Sequence, residues 1–486
     1  MAENGGRLPL ARELAERVCA VRYEDLPPAV VRACRVAVLD TLGVMLAGSL
    51  EEAPRIVERV LGLGNDEGPC LIFGSARRAR PLDAALVNGT AAHALDFDNT
   101  AKSFGGHASA VMVPALLAAA EAHGCSGRDV LLAHAVGYEL GARLGRCVNP
   151  HHTEKGWHPT ATLGVFAVAA ACARLLALTA ERTATALALA ASLASGIKAN
   201  FGTMTKPLHA GHCARSGLLA AALAREGFTA NAAALEHRQG FFNVFEGEGH
   251  YDARRALEGW DEWEIVEPGA SYKLYPCCYS THAAVEAALN LVRRHGPFEA
   301  RAIARVDIAT PARGLAHTDR PAPVSGLDAK FSVQYCVARA LLAGRIAFEH
   351  FEGEAHRDPE IREMLPRVHA APYRGVPFAE DDPFDAELTV TLADGSRLHE
   401  KVDRPLGRSS ENPIPPERLE AKFLECAARA LGPQGAADAC RAIGCFERLG
   451  SVRELTRLLE PAGRIAEAGQ PRAARPEGLH RKERVK

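Results

Sequence analysis

Four basic residues stand where a helix is expected to begin. That end is the less favoured one for a positive side chain, because the helix dipole already makes it positive. In "GWHPTATLG", Pro159 fits the first helical position and puts His158 at the N-cap. In "TKPLHAGH", Pro207 does the same for Lys206. In "GGHASAVMVPALL", His107 opens a helix after two glycines, and in "YPCCYSTHAAVEAA", His282 falls in a first turn after Pro276. One such placement means little. Four suggest helix N-termini converging on an anion, with lysine adding fixed charge and histidine a proton that moves near neutral pH.

"HALDFDNT", His93 to Thr100, ends an apolar run that should be buried, where a polar group is costly unless paired or used. Read as a helix end, it places His93, Asp96 and Thr100 on one face at i, i+3 and i+7, with Asp98 pointing elsewhere as a structural residue. Asp96 and Thr100 are then placed to hold a substrate hydroxyl or carboxyl, or to orient a histidine. In "HAGH", His209 and His212 lie one turn apart without a nearby acid, so packing or solvent contact is expected rather than metal binding. The adjacent Cys277 and Cys278 read as core thiols.

Several chemistries have no support. "GLGNDEG" at Gly62 is not a dinucleotide fingerprint, and there is no P-loop. Thirteen cysteines without a C-x-x-C pair argue for reduced thiols rather than disulfides or zinc. No metal or cofactor is therefore expected. A net charge of −2 over 486 residues gives no sign of a nucleic-acid partner. No apolar run reaches the roughly 18 residues of a membrane span, and the N-terminal stretch lacks the pattern of a signal peptide, so the cytoplasm is the expected compartment.

The elements that must position these residues are mostly helical. Residues 7–265 show helical apolar spacing in segment after segment, several ending in glycine, with "PCLIFG" the one strand-like run. The texture changes near residue 268: "ASYKLYP", "ARVDIATP" and "AELTVTLADGSRLHEKV" alternate as strands do, with helical segments between them. The expectation is a mainly α protein, with a large all-helical domain over 1–268 and a smaller α+β lid domain over 269–405. C-terminal helices over 406–462 return to the first domain, and a disordered tail follows over 463–486.

Taken in order, "HALDFDNT", "GHASAVMVPALLAAAEAHG", "GWHPTATLG", "GTMTKPLHAGHCARSG", "YKLYPCCYSTH", "KFSVQYCVARALLAG" and "ENP" resemble the MmgE/PrpD family over roughly residues 7–460. The resemblance implies a helical domain with a lid, a cleft between them, a homodimer, and chemistry without metal or nucleotide. It implies cleft residues at Asp96, Thr100, His107, His158, Lys206, His282 and Tyr335. Tyr335 comes from the resemblance alone. The family's activities include 2-methylcitrate dehydratase, cis-aconitate decarboxylase and iminodisuccinate epimerase. Asn99 stands where many relatives carry an acid, and "TKPLHAGHCARSG" looks more like the decarboxylase and epimerase branch. The expected function is a cofactor-independent lyase, a dehydratase or decarboxylase, on a small di- or tricarboxylic acid. An epimerase of an aminodicarboxylate is the alternative. Lys206, His158 and Thr100 would bind substrate, with His107, His282, Asp96 and Tyr335 as the catalytic group.

Overall fold

The computed structural model describes residues 8–63, 68–373, 384–408 and 410–461. The tail expected to be disordered lies outside them. The fold is mainly α with a smaller α+β part, as the spacing predicts. Its apolar interior divides into two large clusters. One runs from Leu10 to Ile265 and takes in Phe423, Ile443 and Leu455 from the C-terminal helices. The other is formed within Cys277–Val402.

The helices that frame the site are α1 (Pro28–Gly48), α2 (Pro81–Ala94), α3 (Ala108–His123), α4 (Gly127–Val148), α5 (Gly164–Leu175) and α6 (Thr205–Arg225). Helices α2 and α3 are alanine-rich and buried almost all round, so neighbouring helices can approach closely. The tightest crossing is α2 on α6. A Cβ on Gly89 would sit 2.8 Å from the Gly211 Cα, and one on Gly211 would sit 2.2 Å from the Leu86 carbonyl oxygen. Only glycine fits either position. Two short two-stranded pairs accompany the helices: β1 (Cys70–Leu71) with β2 (Arg78–Ala79), and β3 (Thr100–Ala101) with β4 (Ala270–Ser271).

The α+β part is a four-stranded sheet of order β6-β5-β7-β8, formed by β5 (Ile303–Thr310), β6 (Val368–Pro372), β7 (Ala386–Leu392) and β8 (Arg397–Val402). The β5–β6 pair is parallel and the others antiparallel. Strand β6, "VHAAP", carries little apolar alternation, and the sequence gives no sign of it. The apolar faces of α7 (His282–His295) and α8 (Val333–Ala343) cover the sheet. A long C-terminal helix, α9 (Pro416–Gly444), breaks its helical geometry at Gly432 and packs on α1.

Two local expectations are corrected. Helix α2 ends at Ala94, so His93, Asp96 and Thr100 do not share a helical face. Asp96 takes a left-handed φ of 52° and Thr100 enters β3. Helix α6 begins at Thr205, which puts Lys206 inside the first turn rather than at the N-cap.

Candidate active site

A cavity of about 1060 Å³ lies between the two parts. Five of the seven sequence-predicted residues line it: Asp96, Thr100, His107, His158 and Lys206. They arrive by separate routes. His107 is the N-cap of α3 and His158 that of the short helix Pro159–Thr162, and neither cap is filled by its own side chain. The crossing of α2 and α6 delivers Asp96 and Lys206 to the same place.

Asp96 is 2 % exposed and meets two ammonium groups. Lys206 Nζ contacts its Oδ1, and Lys273 Nζ lies 3.2 Å from its Oδ2. Burial alone would raise this carboxyl. Lys206 and Lys273, with His107 and His93 behind them, hold it far below the usual carboxylate range. Burial lowers Lys273 in turn, but Asp96, Asp98 and the neighbouring Cys278 and Cys277 together outweigh it and the ammonium is stabilised. Lys206 also sits about 5 Å from the ring centres of Phe201 and Phe331 (5.0 and 4.9 Å), which wall the cavity.

Three buried lysines from distant segments fix the loop that carries Asp96. Lys330 donates to the Leu95 carbonyl at 3.0 Å, Lys273 to that of Asp96, and Lys422 to that of Phe97 at 2.8 Å. Lys422 also reaches Asp40 Oδ1 at 2.6 Å, while Asn99 donates to Asp40 Oδ2 at 3.0 Å. Asn99 therefore belongs to this support, away from the reacting groups. The unusual backbone of Asp96 is held from both parts of the molecule.

Asp98 does not point away. Fully buried, it accepts from His93 Nδ1 at 2.9 Å and lies 2.7 Å from His107 Nδ1. Burial works against its charge, but the two imidazoles hold the carboxyl well below its ordinary range. For His107, burial dominates and the imidazole is lowered to about 4, with Asp98 opposing and His93 assisting. His93, Asp98 and His107 are also the described group whose ligand atoms lie close enough to hold a metal ion. Their mutual distances are those of direct imidazole–carboxylate contacts.

His158 Nδ1 lies 3.1 Å from His209 Nδ1, and His209 is half-buried there. Burial and the neighbouring His93, Lys206 and His209 push His158 well down. His317 also lines the cavity, lowered to about 4 by burial, with Lys198 and Lys206 adding to the effect.

His282 and Tyr335 do not line the cavity. His282 is buried behind it, its ring stacked 4.8 Å from that of Tyr279 and its Nε2 3.4 Å from the Cys277 carbonyl. A first-turn position fixed its height along α7 but not which way it faces. The Tyr335 hydroxyl donates to the His350 carbonyl and accepts from Arg339 Nε at 3.0 Å, inside the apolar interior of the α+β part. Cys277 is in the core as expected, while the buried Cys278 lines the cavity. Sequence reading missed Lys273, Asp98 and His317. Lys273 stands in "YKLYP", whose alternation reads as a strand and gives the lysine no distinguishing signal. Asp98 was hidden by the assumption that the helix continued. His317 carries no local signal.

Among the lining residues are eight Lys and Arg against two acids, Asp96 and Glu154, with three histidines. Fold and site together define a mainly α enzyme with a smaller α+β part and a cationic, histidine-lined cavity between them. The chain belongs to the MmgE/PrpD family: the MmgE/PrpD N-terminal domain matches residues 12–254 and the C-terminal domain residues 275–447. It is 30% identical over 461 residues to cis-aconitate decarboxylase of Homo sapiens, covering 93% of this chain and 94% of that one. It is 26% identical over 493 residues to cis-aconitate decarboxylase of Aspergillus terreus, covering 94% and 97%. A 2-methylcitrate dehydratase of Cupriavidus necator is 32% identical over 171 residues, 33% of this chain and 35% of that one.

Proposed function

We propose that this protein is a lyase that removes carbon dioxide from a small unsaturated tricarboxylic acid of the aconitate type, using its own side chains. The observation that carries this reading is the pair of ammonium groups, Lys206 and Lys273, sharing the single carboxylate of Asp96 in a cavity with a surplus of cations. Such a site is short of negative charge, and a polycarboxylate supplies it. Likeness to cis-aconitate decarboxylases over nearly the whole chain, against a third of it for the dehydratase, favours loss of carbon dioxide over loss of water.

The chemistry asks for two things. Fixed positive charge must stabilise electron density as it moves onto a carbon beside a retained carboxylate, and an acid must then protonate that carbon. The bond to the leaving carboxylate breaks, and its electron pair forms a new double bond. The old double bond's pair takes a proton from His107, which regains one from water. Lys206, Lys273 and His158 hold the retained carboxylates, while Asp96 and Thr100 orient them. Before substrate binds, burial keeps His107 neutral at pH 7; a bound polycarboxylate adds negative charge beside it and favours its protonated form. His282 and Tyr335 support the lid side of the wall without touching substrate.

The test is a panel of aconitate-like, citrate-like and aminodicarboxylate acids in D₂O, following carbon dioxide release and deuterium in the product. Release from an aconitate-type acid with one deuterium incorporated, lost in His107→Ala, is expected. No release from any acid, or full activity in His107→Ala, overturns the reading. Loss of water alone moves the protein to the dehydratase reaction.

A further inference from the structure

Asp98 and His93 form no part of the cavity wall, yet both are buried against His107, which does. The carboxylate meets the two histidines through the same atom of each ring: Nδ1 of His93 at 2.9 Å and Nδ1 of His107 at 2.7 Å. The rings lie edge to face with centroids 4.4 Å apart. A carboxylate has no proton to give and repels a bare ring lone pair at that distance, so both contacts favour a proton on Nδ1; the His93 contact is aligned as a hydrogen bond, and the His107 contact is a closer ion-pair approach off that line. Both rings are then protonated at Nδ1, and the remaining nitrogen of His107, Nε2, is left for the cavity.

We propose that Asp98 and His93 are positioning residues for the reaction, Asp98 locking His107 in its Nδ1–H form so that Nε2 carries the reacting proton, and His93 weakening that hold by sharing the carboxylate. The proposal rests on the lyase reading for its activity arm only. A single carboxylate serving two imidazoles stabilises each cation less than if it served one. His93 thereby makes His107 a stronger acid. The other charged groups around His107 are Lys273, Lys206 and Asp96 from the cavity and His158 from the short helix beside it. All of these are unchanged by replacing His93.

Three measurements test this. In wild-type protein labelled with ¹⁵N-histidine and free of substrate, His107 should show a protonated Nδ1 and an unprotonated Nε2, assigned by its loss in His107→Ala. Asp98→Asn offers one carbonyl oxygen in place of two carboxylate oxygens and frees the ring to protonate at Nε2. It should lower kcat about 100-fold or more with KM within about threefold. His93→Phe keeps the ring packing but removes the competing N–H, and should move the kcat–pH profile upward by about half a unit or more. An Nε2–H form of His107 in the free protein overturns the proposal. So does wild-type kcat in Asp98→Asn, or an unmoved or downward profile in His93→Phe. If Asp98→Asn fails to fold, the ring nitrogens and the His93→Phe profile decide. If His107 is Nδ1–H but no polycarboxylate is turned over, the lyase reading falls while the pairing stands.

Discussion

Asp96 is the residue on which the site's charge balance turns. It compensates Lys206 and Lys273 at once, in a place with little water. Removing one partner of a buried pair costs about 3–5 kcal/mol, because the other charge is left alone. Asp96→Asn should therefore lower the thermal midpoint clearly, and a bound tricarboxylate should restore more of it than it adds to wild type; a differential melting experiment checks both. Lys273→Met removes one cation and leaves Asp96 to occupy Lys206 alone. The expected result is a KM for the polycarboxylate raised about tenfold or more, read by steady-state kinetics. These effects follow from residue types that the sequence displays. The partnership of Lys273 with Asp96 does not, since 176 intervening positions hide it and the lysine's own neighbourhood reads as a strand.

At the scale of elements, the site depends on how closely α2 and α6 cross. Asp96 follows the end of one and Lys206 lies in the first turn of the other. Gly89 and Gly211 let the backbones touch. Gly211→Ala would place a methyl group 2.2 Å from a backbone oxygen, so the helices must part. A cost of about 1–3 kcal/mol is expected, with a rise in KM because the Asp96–Lys206 pair opens with them. Chemical denaturation and kinetics on the same variant check the two together. The helices themselves were legible from their apolar period and their prolines, and three of the four basic N-termini do meet at the cavity. The fourth, that of α7, turns His282 to the far side of Cys277. A helix start defines a height along an axis, while the facing direction comes from packing against the sheet.

The whole molecule closes the site by joining its two parts at one loop. Lys330, from the α+β part, and Lys422, from the C-terminal helix, hold neighbouring carbonyls beside Asp96. Lys330→Met should lower kcat/KM and speed hydrogen exchange in residues 95–100 while leaving exchange in α4 unchanged, because one charged hydrogen bond of about 1.5–3 kcal/mol is lost at the junction alone. The buried histidines also set the acid limit of the fold. His107 and His134, both deeply buried, are lowered to about 4 by burial. An unfolded chain takes up a proton at each near 6.5, whereas the folded chain does so only near 4. Stability is therefore complete above pH 6.5 and falls as the pH drops through 6.5 to 4. Denaturation midpoints measured across that window should fall steadily, and His134→Leu should reduce the slope.

The amino-acid order alone determined the mainly α class, the change of texture near residue 268, the family resemblance, and most of the basic and acidic residues that line the cavity. These rest on period, helix-start chemistry and residue type, which are local properties carried by neighbouring positions. The tertiary structure decided the rest: that Asp98 lies beneath His107, that Lys273 shares Asp96, and that His282 and Tyr335 stand away from the cavity. Each of these is a contact between segments distant in the chain or a choice of facing direction. Close packing of whole elements settles such contacts, and no window of sequence contains them.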